Sequence, residues 1–190
     1  MRAELADLLK YAWYALALVW LVTWFATKRT TRAEPNWVSL ARSVMMGAVF
    51  VLLFDVPPQW AWLHRRIVPN TEAVQLTGIA LTVLGVAFAI WARLALGTNW
   101  SSRATIKQGH ELIIRGPYRI VRNPIYTGIF FALLGTALAL GQVRHFLGLP
   151  ILLLGWVWKI KTEQRLLRAQ FGESYERYCR EVKAFIPYVI

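Results

Sequence analysis

Residues 109–128 read GHELIIRGPYRIVRNPIYTG, a polar, basic and turn-rich run that stands between long apolar segments. A hydrophobic segment begins directly after Asn123, and Pro124 is suited to the first turn of a helix. Because a residue that precedes proline avoids helical angles, Asn123-Pro124 predicts the start of a helix. Charged and hydrogen-bonding groups next to a membrane span are costly, so we expect this stretch to carry function.

The composition around this stretch is that of a membrane protein. Apolar residues make up 57% of the 190 residues and the mean hydropathy is +0.41, whereas a soluble domain holds roughly 45–50% apolar residues. Ten Trp and seven Tyr suit side chains that lie at membrane–water interfaces. The single cysteine, Cys179, excludes an intrachain disulfide and a cysteine-based zinc site.

Five apolar segments predict an all-α integral membrane protein with five transmembrane helices. They run over residues 8–26, 38–56, 74–96, 126–140 and 146–160. The first has no early small-x-small cleavage site, so we interpret it as a retained span rather than a signal peptide. The last two would each cover roughly 22 Å of a hydrocarbon core about 30 Å thick, and predict a short C-terminal helical hairpin.

Small residues along this hairpin either let its helices approach closely or are ordinary membrane-helix residues. They are Gly128, Gly135, Ala139, Gly148 and Gly155. We expect one membrane domain, with three spans in residues 1–96 and a polar loop, the hairpin and a tail in residues 97–190. Apolar residues spaced three and four apart over 162–182 predict an amphipathic tail helix, broken near Gly172, that caps the hairpin on the cytosolic side.

The basic residues predict the orientation of the chain. Most of the 22 Lys and Arg residues fall on one side of the predicted spans. The positive-inside rule then places the N-terminus outside and both the 97–125 loop and the tail in the cytoplasm. Anionic membrane lipid accounts for the net charge of +12, so we do not expect nucleic acid as a partner.

Common cofactor and nucleophile motifs are absent from the sequence. It has no G-x-G-x-x-G, no Walker loop, no G-x-S-x-G and no metal-ligand cluster. Polar candidates remain in the 97–125 loop, together with Glu163 just beyond the last span. Each has a structural interpretation: Glu163 as an i,i+4 ion pair with Lys159, Arg122 as a snorkelling anchor, and Tyr118 and Tyr126 as interfacial aromatics.

Taken together, these residues resemble the signature of the isoprenylcysteine carboxyl methyltransferase family. The resemblance covers residues 99 to 187, about half of the chain. The matching positions are His110, Leu112, Gly116, Tyr118, Arg122, Pro124, Tyr126, Gly128, Glu163, Phe171, Gly172, Tyr175, Tyr178 and Pro187. The resemblance implies a prokaryotic integral-membrane methyltransferase that uses S-adenosylmethionine.

The resemblance also implies which residues surround the cofactor. They are His110, Glu111, Leu112, Ile113, Tyr118, Asn123, Pro124, Ile125, Tyr126 and Glu163. Glu163 would accept hydrogen bonds from the ribose hydroxyls or the ammonium of the cofactor, and tyrosine rings would face its sulfonium. His110 or Arg122 would donate to its carboxylate.

Three positions depart from the family pattern. The histidine that precedes proline is Asn123 here, which keeps hydrogen bonding but cannot carry a proton. The second of the paired glutamates is Gln164. The substrate-facing arginine one turn before the glutamate aligns with Lys159, which keeps the charge but not the bidentate fork.

The resemblance therefore implies methyl transfer from S-adenosylmethionine to a lipophilic or prenylated acceptor that enters from the membrane. A carboxylate acceptor is favoured because it needs no general base, and Lys159 or Arg122 would hold it as the catalytic residues. Alternatives are a phospholipid, small-amine or thiol methyltransferase, a sterol-reductase-like NADPH enzyme, and a membrane scaffold without activity. We expect the protein in the inner membrane of a bacterium or archaeon, with the active site facing the cytoplasm.

Overall fold

The computed structural model describes residues 3–24, 30–33, 37–41, 43–45, 47, 59–100, 105–107, 109 and 111–185. Six helices are complete within these ranges: α1 (Ala3–Trp24), α2 (Ala61–His64), α3 (Glu72–Leu96), α4 (Pro124–Leu140), α5 (Val143–Phe171) and α6 (Glu173–Glu181). Residues 37–41 and 43–45 are also helical. Short 3₁₀ turns occupy Gly97–Asn99 and Gly116–Arg119.

Within the described residues, three helices are long and apolar enough to cross a membrane, over Glu4–Trp24, Glu72–Asn99 and Val143–Phe171. The shorter apolar helix α4 has 17 residues. These four helices coincide with the first, third, fourth and fifth predicted spans, and the helical membrane architecture is confirmed. The second predicted span lies largely outside the described residues, so the total of five spans remains a prediction.

Two short strands add to the helical architecture that the sequence predicted. Strand β1 (Thr30–Ala33) pairs antiparallel with strand β2 (Thr105–Lys107). Strand β2 lies in the polar 97–125 loop. The pairing ties this loop to the segment that follows α1.

Helix α5 is much longer than the predicted fifth span. It runs for 29 residues through Pro150 to Phe171, so residues 162–171 extend the membrane helix and do not begin a separate tail helix. Proline is tolerated inside membrane helices because neighbouring groups satisfy the backbone that it frees. The helix ends at Gly172, whose φ of 51° is accessible to glycine at little cost, and α6 follows. That the tail caps the hairpin on the cytosolic side stays a prediction.

Among the described helices, α3 and α4 pack most closely together. A Cβ atom placed on Gly78 would lie 2.6 Å from the carbonyl oxygen of Gly135, and one on Gly85 would lie 2.6 Å from that of Gly128. The glycines of α4 thus serve the α3–α4 contact, whereas the sequence had suggested the α4–α5 hairpin. Small residues let membrane helices pack with their backbones close together.

Polar side chains link three helices inside this bundle. The Thr82 hydroxyl lies 3.1 Å from the carbonyl oxygen of Ala132 and 3.2 Å from the Thr136 hydroxyl. The Trp13 indole donates to the same Thr136 hydroxyl at 3.1 Å, which connects α1 to α4. At the far end of α4, Arg66 donates to the carbonyl oxygen of Leu140 at 2.8 Å and so satisfies a helix terminus.

Candidate functional site

A cavity of about 240 Å³ lies where one end of α1 and of α3 meets the start of α4, the middle of α5 and helix α6. Eleven of the twelve residues that the sequence singled out line it. They are Glu111, Leu112, Ile113, Tyr118, Arg122, Asn123, Pro124, Ile125, Tyr126, Lys159 and Glu163. His110 lies outside the described residues.

The 3₁₀ turn Gly116–Arg119 fixes the loop part of the cavity. Gly116 has a φ of 58° and faces the Trp91 ring, and this turn buries Pro117 and Tyr118. The Tyr178 hydroxyl of α6 donates to the carbonyl oxygen of Tyr118 at 2.6 Å. Helix α6 is thereby linked to the loop.

The start of α4 is bound to the end of the chain. The backbone N–H groups of Arg122 and Asn123 donate to the carbonyl oxygens of Lys183 and Ala184 at 2.8 and 3.1 Å. The Asn123 side-chain amide also donates to the Ala184 oxygen at 2.7 Å. Asn123 lines the cavity, but its donor is used to hold the C-terminal segment against the head of α4.

The polar centre of the cavity is a cluster of three side chains. The Tyr126 hydroxyl lies 3.3 Å from each carboxylate oxygen of Glu163. The Lys159 ammonium lies 3.5 Å from Oε1 of Glu163 and 5.4 Å from the centroid of the Tyr126 ring. The predicted ion pair between Lys159 and Glu163 is therefore present. Their side chains are 12% and 26% exposed, and both line the cavity.

Three tyrosine hydroxyls near this cluster stay neutral at physiological pH. Burial, and after it the negative charge of Glu163, raises the pKa of Tyr118. Burial is also the main cause that raises the pKa of Tyr175 and of Tyr178. These side chains can donate and accept hydrogen bonds, but they are not suited to act as bases.

Two buried polar atoms of the cavity wall have no hydrogen-bond partner in the part of the chain that the structure describes. They are Nε of Arg122 and Oδ1 of Asn99, and both residues line the cavity. Buried polar atoms are nearly always paired in folded proteins, so each such atom needs an explanation. A bound polar ligand that accepts a hydrogen bond from Nε of Arg122 would explain why this atom has no partner in the protein.

Sequence reasoning missed most of the apolar wall. Trp20, Leu96, Ile129 and Trp156 line the cavity from α1, α3, α4 and α5 respectively, and Trp156 packs on Tyr126 with the ring centroids 5.4 Å apart. Further lining residues outside the predicted set are Asn99, Trp100, Gln164, Leu167, Tyr175 and Tyr178. Their helices converge only in the folded bundle, so no local pattern could have found the residues of the spans.

Comparison with known proteins gives a consistent picture. Residues 74–174 match the family described as PEMT, phospholipid methyltransferase. A protein-S-isoprenylcysteine O-methyltransferase of Schizosaccharomyces pombe is 32% identical over 122 residues, which cover 60% of this chain and 50% of that protein. A probable protein-S-isoprenylcysteine O-methyltransferase of Oryza sativa subsp. indica is 27% identical over 119 residues, 61% of this chain and 62% of that protein.

A solved structure shares the fold. It is a eukaryotic intramembrane Ras methyltransferase, an isoprenylcysteine carboxyl methyltransferase, which aligns with a TM-score of 0.52 and 23% sequence identity. The alignment covers 84% of this chain and 55% of that one. The chain thus spans about half to three fifths of the length of these relatives.

Proposed function

Because this chain belongs to the phospholipid methyltransferase family, we propose that it transfers a methyl group from S-adenosylmethionine to a lipophilic acceptor that carries a carboxylate. One observation carries the proposal. The loop residues 111–113, the head of α4 and the Lys159–Glu163 pair, which are far apart in sequence, line one cavity at the ends of apolar helices.

The residues of the cavity fit the polar groups of the cofactor. Glu163 can accept from ribose hydroxyls or an ammonium, and the Tyr118 and Tyr126 rings can face a sulfonium cation. The buried Nε of Arg122 offers a charged donor for a carboxylate. His110, which belongs to the same proposed set, lies outside the described residues.

The acceptor is expected to reach the cavity from the membrane. A cavity of about 240 Å³ is smaller than the roughly 300–1,000 Å³ of typical small-molecule sites, so a long apolar group must extend beyond it. The side chains of Trp20, Leu96 and Ile129 come from three membrane helices and give that group an apolar path. Relatives named for S-isoprenylcysteine make a prenylated acceptor a reasonable candidate.

The chain's own residues have positioning as their main task. When bound, S-adenosylmethionine supplies an activated methyl group on a sulfonium, which becomes a neutral thioether when the methyl passes to the acceptor oxygen. Lys159, or Arg122 where His110 holds the carboxylate of the cofactor, would hold the acceptor carboxylate, which is already a nucleophile and needs no general base. Proximity and the exclusion of water by the buried Tyr118 and Trp156 walls would supply most of the rate.

Binding is tested by calorimetric titration of the purified protein in detergent with S-adenosylhomocysteine, beside NADPH as the control. We expect saturable binding of S-adenosylhomocysteine alone. Binding of NADPH alone would instead support the reductase alternative. Absence of both would support the scaffold.

The class of acceptor is tested by the chemistry of the product. With radiolabelled cofactor and N-acetyl-S-farnesylcysteine, we expect a labelled product that releases methanol in mild base, because only a carboxyl methyl ester does so. A base-stable label on phosphatidylethanolamine would support the second candidate, amine methylation of a phospholipid. Two observations support this second candidate: the matching family is that of phospholipid methyltransferases, and the tryptophans of the cavity suit a quaternary ammonium.

A further inference from the structure

Arg93 is a buried cation that the proposed chemistry does not use. It lies in the last turn of α3 and is 1% exposed. Its guanidinium donates to the carbonyl oxygen of Gly97 at 3.0 Å and to that of Thr23 at 2.7 Å. Among the described residues its Nε has no partner. A buried charge in a membrane helix is costly and is a functional candidate by default.

The same guanidinium packs against the wall of the cavity. It lies 4.5 Å from the centroid of the Trp100 ring, a distance typical of a cation–π contact. Two rings of α1 meet Trp100 edge-on, Trp20 with its centroid at 6.5 Å and Trp24 at 5.4 Å. Trp20 and Trp100 both line the cavity, whereas Trp24 does not.

Helix α1 needs such an anchor at this end. In the most apolar 18-residue stretch of α1, only 6% is buried within the protein, against 39% in the corresponding stretch of α3. In the middle of the bundle α1 is held by the hydrogen bond from Trp13 to Thr136. Near the cavity, the link from Arg93 to Thr23 holds the last turn of α1, which places Trp20 against Trp100.

We propose that Arg93 is a positioning residue that joins α1 to the cavity, so that Trp20 and Trp100 form the wall against which the apolar chain of the acceptor lies. The inference deepens the proposed function and rests on it for the class of acceptor. It gives the first helix a role in acceptor binding, separate from the loop and Glu163 that would hold the cofactor. Arginine suits this position because its planar fork can bond two carbonyl oxygens while it stacks on a ring.

The test is equilibrium binding of N-acetyl-S-farnesylcysteine and of S-adenosylhomocysteine to matched variants in detergent. We expect Arg93→Met to weaken the affinity for the farnesylated probe by roughly tenfold while the affinity for S-adenosylhomocysteine stays within about twofold. Arg93→Lys should restore part of the loss. Arg66→Met is the matched control, because Arg66 also bonds a helix-terminal carbonyl but at the far end of α4.

A second pair keeps the test decisive if Arg93→Met fails to fold. Trp20→Leu should weaken binding of the farnesylated probe, whereas Trp24→Leu, which alters a neighbouring ring outside the cavity, should not. The inference would be overturned if Arg93→Met and Arg66→Met, and likewise Trp20→Leu and Trp24→Leu, weakened binding of the farnesylated probe equally. It would also be overturned if Arg93→Met lost affinity for both ligands in parallel. A wild-type protein that does not bind the farnesylated probe would overturn it as well. Failure to bind S-adenosylhomocysteine alone would overturn methyl transfer but not the role of Arg93.

Discussion

At the scale of single residues, Glu163 has a structural role in the protein and a proposed role in ligand binding. It neutralises Lys159 one helical turn away and accepts from the Tyr126 hydroxyl, at the wall of the cavity. An ion pair of this spacing would be worth only about 0.2–0.5 kcal/mol on an exposed helix. Because Glu163 lies between a lysine and a tyrosine in the wall of the cavity, we propose ligand binding as its larger role.

We therefore expect Glu163→Gln to lower the affinity for S-adenosylhomocysteine by roughly 10- to 100-fold, the value of a hydrogen bond to a charged group. The melting temperature should change little. Glu176→Gln is the matched control, because it removes an exposed ion pair to Arg168 with a distance of 2.7 Å. Calorimetry gives the affinities, and equal affinity of wild type and Glu163→Gln would remove Glu163 from the proposed site.

Asn123 shows how a departure from a family pattern can be structural. Its amide donates to the carbonyl oxygen of Ala184, and the imidazole of a histidine carries an N–H that can do the same. Asn123→His should therefore fold and bind S-adenosylhomocysteine as the wild type does. Asn123→Leu should lose about 0.5–1.5 kcal/mol, because the Ala184 oxygen would lose its side-chain donor and keep only the backbone N–H of residue 123. Thermal unfolding in detergent separates the two variants, and a large loss in Asn123→His would contradict this account.

At the scale of elements, the glycines of α3 and α4 decide how closely these helices pack. A Cβ atom on Gly85 would lie 2.5 Å from the backbone nitrogen of Ala132, a contact that only backbone movement can relieve. Gly85→Ala should therefore destabilise the protein by about 1–3 kcal/mol, the usual cost of overpacking. In Gly47→Ala, where the added Cβ would meet nothing within 4 Å, stability should stay the same or rise. A similar melting temperature for both variants would show that the close α3–α4 contact does not determine the stability of the protein.

The sequence predicted the existence of these elements better than their partners and ends. The length of the apolar segments identified helices α1, α3, α4 and α5, because a membrane span requires an unbroken apolar run. It placed the end of the fifth span near residue 160, since charges begin there. The helix nevertheless continues to Phe171, because residues 161–171 contain no glycine or proline. The α3–α4 partnership depends on glycines in two distant segments, which single-helix patterns cannot pair.

At the scale of the whole molecule, the comparisons confirm the family resemblance that the motifs indicated. The motif reasoning also found the loop side of the candidate cavity, because those residues lie close together in sequence. It did not find Trp20 or Leu96, whose side chains reach the cavity only when α1 and α3 pack beside α4. The residues that would bind the acceptor thus come together only through tertiary packing. Most residues that would bind the cofactor are close together in the sequence.

The orientation of the whole molecule can be tested with its single cysteine. Cys179 lies on α6 beside the cavity and is partly exposed. If the positive-inside rule holds for this chain, Cys179 faces the cytoplasm together with the cavity. A membrane-impermeant maleimide should then label Cys179 in inside-out vesicles but not in intact cells.

The matched control carries the opposite expectation. Gln59→Cys in a Cys179→Ser background places a thiol on an exposed residue before α2, which the same rule puts outside. This variant should be labelled in intact cells. Labelling of Cys179 from outside, together with protection of Gln59→Cys, would show that the protein has the opposite orientation in the membrane. The cavity would then open away from the cytoplasm, where S-adenosylmethionine is made, and the proposed methyl transfer would have no source of its methyl group.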